Sequence, residues 1–167
     1  MGLNAIPSLF TLGNLAFGVV SLNYTLENHY QMAAILILFC MILDGLDGKI
    51  ARKLDASSNF GKELDSLADI VSFGVAPAIL VYAQVLETFH LVGLICVIWF
   101  ATAGAYRLAR FNTQNISGYF VGVPITAAGS LLALLNLLPD KIPAQVFFGI
   151  TLVLGILMVS KIKVPKY

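Results

Sequence analysis

Four aspartates have the types and spacing to do chemistry. Asp44 and Asp47 are three residues apart, Asp65 and Asp69 four apart. On a helix both spacings return to one face, so each pair sets two carboxylates side by side. The connection between the pairs is short, which makes the two helices antiparallel neighbours and brings the carboxylates to a similar depth. An ionised side chain at the middle of a bilayer costs roughly 2.5–3.5 kcal/mol even on the mildest scale, and mutually repelling anions cost more. Something cationic must offset them, and the basic residues are too sparse to do so. An all-oxygen ligand set suits Mg²⁺ or Mn²⁺ rather than zinc. Four carboxylates can hold two such ions about 3.5–4 Å apart, an arrangement suited to phosphoryl chemistry. No EF-hand is present, because no loop ends in the bidentate Glu that motif requires.

Gly48, Ala51 and Arg52 continue the Asp44/Asp47 face. Two small residues leave a notch where a ligand can approach the helix backbone. Arg52 offers a planar donor fork to a phosphate oxygen. Cation, notch and guanidinium together describe a pyrophosphate-sized site, and from the residues alone the expected reaction is metal-dependent transfer involving a phosphate-bearing lipid.

The elements that must position these groups follow from composition. Of 167 residues, 59% are hydrophobic and only 11% are charged, with a mean hydropathy of +0.89. A soluble domain carries roughly a quarter charged residues, and a disordered chain is polar; both are excluded, leaving an integral membrane protein. No basic run points to nucleic acid. A bilayer core needs roughly 20 apolar residues per helix, and six stretches qualify: 3–25, 30–52, 62–85, 90–110, 119–138 and 144–160. The expected fold is all-α, one domain over 1–167 built as a bundle of six transmembrane helices. No cationic region opens the chain, so a cleaved signal peptide is not expected. Of the ten basic residues, only Lys141 falls on the side of the first, third and fifth connections. The excess on the other side places both termini and the acidic cluster in the cytoplasm. Cys40 and Cys96 lie in apolar stretches and read as packing residues.

The run D-x2-D-G-x2-A-R-x8-G-x3-D-x3-D, formed by Asp44, Asp47, Gly48, Ala51, Arg52, Gly61, Asp65 and Asp69, resembles the signature of the CDP-alcohol phosphotransferase family at all eight positions. The resemblance implies a six-helix membrane enzyme in which a CDP-linked substrate gives its phosphoalcohol moiety to an acceptor hydroxyl and CMP leaves. It implies that Asp44, Asp47 and Asp65 hold metal, that Asp69 is the general base and a further metal contact, and that Gly48, Ala51 and Arg52 bind the CDP moiety. A homodimer is the implied assembly.

Two segments narrow the acceptor. FGKELDSLADIVSFGVAPA (60–78) and YRLARFN (106–112) resemble the serine-accepting branch, whereas the glycerophosphate branch tends to carry Pro and Lys at the places of Ser66 and Ile70. The implied substrates are CDP-diacylglycerol, or an ether-lipid analogue, and L-serine. Arg107, Arg110 and Lys62 are the candidate partners of the serine carboxylate. The alternatives are a sister enzyme using glycerol 3-phosphate or an inositol compound, and a cation or proton-coupled transporter using the acidic cluster. Pro7, Thr11, Asn14 and Gly18 share a face of the first helix. Thr11 and Asn14 are candidates to hydrogen-bond the cytidine, or else polar glue between helices. Gly118 and Gly122 form a GxxxG suggesting close helix packing, and Gly74 and Pro77 are expected to bend the third helix.

Overall fold

The computed structural model describes residues 5–53, 58–113 and 119–165. Helices α1 (Ala5–Leu26) and α2 (Tyr30–Lys53) form an antiparallel hairpin. Asn28 closes its turn at φ +63°, a left-handed conformation that Asn tolerates. Inside the hairpin, Ser21 Oγ donates to the Ala33 carbonyl at 3.0 Å.

The third rod is compound: α3 (Asn59–Asp69), a π-helical segment (Ile70–Val75) and α4 (Ala76–Gln84) run on without a break. It starts three residues before the expected position 62, because Ser58 caps it. Ser58 is extended, and its side chain accepts the Gly61 N–H at 3.0 Å, satisfying one of the helix's free donors. A 3₁₀ turn (Leu86–Phe89) leads into α5 (His90–Thr113). Helices α6 (Ile125–Asn136) and α7 (Ala144–Val159) complete six rods. Pro7–Leu26, Asn59–Gln84 and Leu86–Thr113 are each long and apolar enough to cross a membrane. Outward-facing Leu9, Ile42, Leu91 and Ile156 are exposed, as a lipid-facing surface requires.

The fifth stretch departs from expectation. The continuous span over 119–138 is replaced by a short strand β1 (Tyr119–Val121), a turn, and then α6. Strand β1 pairs antiparallel with β2 (Lys163–Pro165), Phe120 opposite Val164. Gly122 takes φ +74°, and a Cβ there would run into the Met158 carbonyl. Its N–H donates to the Ile162 carbonyl at 2.9 Å, and Val123 N–H donates to Leu157 at 3.2 Å. Gly122 therefore serves a turn and not a helix-packing GxxxG; Gly118 lies outside the described residues.

The core is built from Phe73, Phe100, Phe147, Leu132 and Met158, all fully buried. Phe73 sits in the π segment. Pro77, at the start of α4, has no N–H to return to the carbonyls one turn back. The expected irregularity at Gly74 and Pro77 is thus a widened turn directly after Asp69.

Candidate active site

The C-terminal half of α2 and the N-terminal half of α3 meet as the spacing requires. One carboxylate oxygen from each of Asp44, Asp47 and Asp65 lies within 4.8 Å of the other two. Asp47 is buried, and Asp44 and Asp65 are half-buried. At an effective dielectric of 20, three ionised groups at that separation repel by roughly 3 kcal/mol per pair. A hydroxyl donated to a carboxylate returns about 1.5–3 kcal/mol, too little to offset three pairs. A divalent cation is the counter-charge that three converging oxygen donors fit, so the donor set is compatible with Mg²⁺ or Mn²⁺.

Asp69 stands apart from this trio. It lies one turn deeper on α3, buried, with Oδ1 lacking a hydrogen bond. The fields of Asp44, Asp65 and Asp47 all reach it, and the Asn14 side chain is its neutral neighbour. Asn14 is fully buried, and its side chain lies near Asp69 without closing a well-formed hydrogen bond. The Asn14 carbonyl is well used: Ser72 Oγ donates to it at 3.0 Å and Cys40 Sγ at 3.3 Å. Gly18 lies against Ser72, with room for no Cβ. Thr11, one turn before Asn14, donates to Asp47 Oδ2 at 2.9 Å.

The nucleotide candidates lie along α2. A Cβ on Gly48 would meet nothing within 4 Å, and the same holds at Gly45 one turn earlier, so this strip of α2 is uncrowded. Arg52 is exposed on the last turn of α2. Ala51 belongs to α2, and its side chain lies outside the described residues.

The three acceptor candidates part company. Arg107 is buried, Nε has no hydrogen-bond partner, and the guanidinium sits 5.9 Å over the Phe111 ring. It lies within the field of Asp69. Arg110 instead clamps the end of α7, donating from Nη1 to the Val159 carbonyl and from Nη2 to Ser160, both at 3.0 Å. Lys62 is exposed on α3. A contact that spacing alone does not predict joins the two branch-like segments: Asn112 Nδ2 donates to Ser66 Oγ at 2.9 Å. Ser66 and Asn112 were both visible as features of those segments, but their pairing depends on how α5 crosses α3.

An acidic cluster between α2 and α3, an open strip leading to an arginine and a six-rod helical bundle are the features expected of a membrane phosphotransferase. The chain belongs to the CDP-alcohol phosphatidyltransferase family, whose pattern matches residues 4–160. Among its relatives is a Bacillus subtilis protein 40% identical over 166 residues, covering 99% of this chain and 92% of its own length. A Helicobacter pylori protein is 41% identical over 170 residues, covering 96% of this chain and 72% of its own. A Methanocaldococcus jannaschii protein is 40% identical over 162 residues, covering 97% and 74%. Each of the three is named CDP-diacylglycerol–serine O-phosphatidyltransferase.

Proposed function

We propose that this chain transfers the phosphatidyl group of CDP-diacylglycerol, or of an ether-lipid analogue, to the hydroxyl of L-serine, releasing CMP. The observation that carries this proposal is that relatives from two bacteria and an archaeon, each about 40% identical over nearly the whole chain, share that one name. The burial of Arg107 within the field of Asp69 supports an acceptor bearing a carboxylate.

In this scheme Asp44, Asp47 and Asp65 would hold Mg²⁺ or Mn²⁺, and Asp69 stands outside that trio as the base. A cation bound there would neutralise the charge of the pyrophosphate and make its phosphorus a better electrophile. Gly48 and Ala51 let the CDP moiety lie close to α2, and the Arg52 fork binds a phosphate oxygen. Thr11 and Asn14 bound the site from α1. Arg107 orients serine by its carboxylate, with Lys62 and Arg110 adding positive charge around the entrance. Asp69 takes the serine hydroxyl proton as the new O–P bond forms and the bond to the CMP phosphate breaks. The enzyme works in the cytoplasmic membrane with its site and both termini facing the cytoplasm, and a second copy of the chain is its implied partner.

The test is CMP release from CDP-diacylglycerol by lipid-reconstituted protein, with and without Mg²⁺ or Mn²⁺. Serine, glycerol 3-phosphate, inositol and inositol phosphate are added separately. Release that needs both metal and serine is the expected result. Release with another acceptor would overturn serine and keep the transfer; none with any acceptor would overturn both.

A further inference from the structure

Thr11 belongs to α1, yet its hydroxyl reaches across to α2. It is buried, 4% exposed, and lies 2.9 Å from Asp47 Oδ2 and 3.2 Å from the Pro7 carbonyl. A hydroxyl has one proton to donate. The carboxylate is both the closer acceptor and the charged one, and charge-assisted bonds are the stronger. The Pro7 contact is the back-bond that Thr commonly makes inside a helix. With its proton committed to Asp47, Thr11 has no donor left for a nucleoside.

Its effect falls instead on the acidic trio. Asp47 is the least solvent-exposed residue of the three, and Thr11 donates a side-chain hydrogen bond to it. Fixing one oxygen from a neighbouring helix restricts rotation of the carboxylate and ties the spacing of the trio to the packing of α1 against α2. Neighbouring hydrogen bonds of this kind orient metal ligands and tune their affinity.

We propose that Thr11 is a positioning residue that orients Asp47 within the acidic trio and so sets its affinity for a divalent cation. This rests on the trio being a cation site, and the experiment separates the two ideas. Mn²⁺ binding to purified, lipid-reconstituted protein is followed by electron paramagnetic resonance for the wild type, Thr11→Val and Thr11→Ser. Valine keeps the branched shape and removes the proton, so it should weaken Mn²⁺ binding about 10–100-fold, while serine restores most of the affinity. At saturating Mn²⁺, the KM of Thr11→Val for CDP-diacylglycerol should match the wild type. Thr11→Val binding Mn²⁺ as tightly as wild type overturns the proposal. So does a raised donor KM at saturating metal with unchanged Mn²⁺ affinity, which would return Thr11 to the nucleotide. Folded wild-type protein that binds no Mn²⁺ would instead overturn the cation site itself, and the proposal with it. Should Thr11→Val fail to assemble, Thr11→Ala against Thr11→Ser carries the same contrast.

Discussion

Asp65 and Asp69 sit one helical turn apart on α3 but keep different company. Asp65 joins Asp44 and Asp47 in the trio. Asp69 lies below it, enclosed, with Asn14 and Arg107 for neighbours. In the proposed scheme a carboxylate outside the acidic trio is placed to accept a proton, whereas those inside it would serve as ligands. Asp69→Asn keeps the shape and removes the proposed base, so it should lower kcat about 10²–10⁴-fold while leaving Mn²⁺ affinity and the KM for CDP-diacylglycerol near wild type. Steady-state kinetics beside Mn²⁺ titration checks this; a parallel collapse of Mn²⁺ affinity would make Asp69 a ligand instead. At this scale the sequence was readable because three- and four-residue spacings fix helical faces whatever the rest of the fold does. Arg107 and Arg110 show the opposite case. Spacing puts both near the site, and only the end of α7 reveals that Arg110 caps carbonyls there.

The elements that hold these residues depend on close backbone approaches around the π segment. Gly18 on α1 faces Ser72, and Gly129 on α6 faces the Phe73 backbone, where a Cβ would lie 2.8 Å from Phe73 Cα and into its carbonyl. Both obstacles at Gly129 are backbone, so the helix and not a side-chain rotamer would have to yield. Gly129→Ala should therefore destabilise the protein by about 1–3 kcal/mol, as over-packing does. Gly45→Ala, where a Cβ meets nothing within 4 Å, should be neutral or slightly stabilising, because Ala is the better helix former. Thermal unfolding of the two variants in one detergent compares them directly; equal midpoints would mean that α6 does not rest on the π segment. The third rod was visible as an apolar stretch and its irregularity was expected at Gly74 and Pro77 as a bend, but the π-helical form it takes was not. Ser72 donating to the Asn14 carbonyl joins residues 58 positions apart, and no local pattern encodes that. The fifth stretch failed for a related reason. Hydropathy counts Tyr119–Val121 and α6 alike as apolar, while the break between them comes from the positive φ of Gly122 and from Pro124, which precedes the first residue of α6.

At the scale of the whole molecule, the ends of α2 and α5, the start of α3 and the end of α7 gather around the acidic site, and most of the basic residues go with them. Lys49, Arg52, Lys53 and Lys62 are exposed there, and Arg107 and Arg110 lie deeper. Lys141 is exposed in the 3₁₀ turn (Pro139–Lys141) between α6 and α7, at the opposite end. Loops rich in Lys and Arg are retained on the cytoplasmic side, and the water-soluble acceptor proposed above would reach the site from that compartment. On both grounds we propose that the acidic site faces the cytoplasm. Cys40 and Cys96 are free and buried, so they form a silent background for thiol labelling. In intact bacterial cells, a membrane-impermeant maleimide should label Lys141→Cys and leave Lys53→Cys untouched until the membrane is opened. The reverse pattern would place the acidic site outside the cytoplasm, and would require both the charge asymmetry and the route of the acceptor to be explained another way.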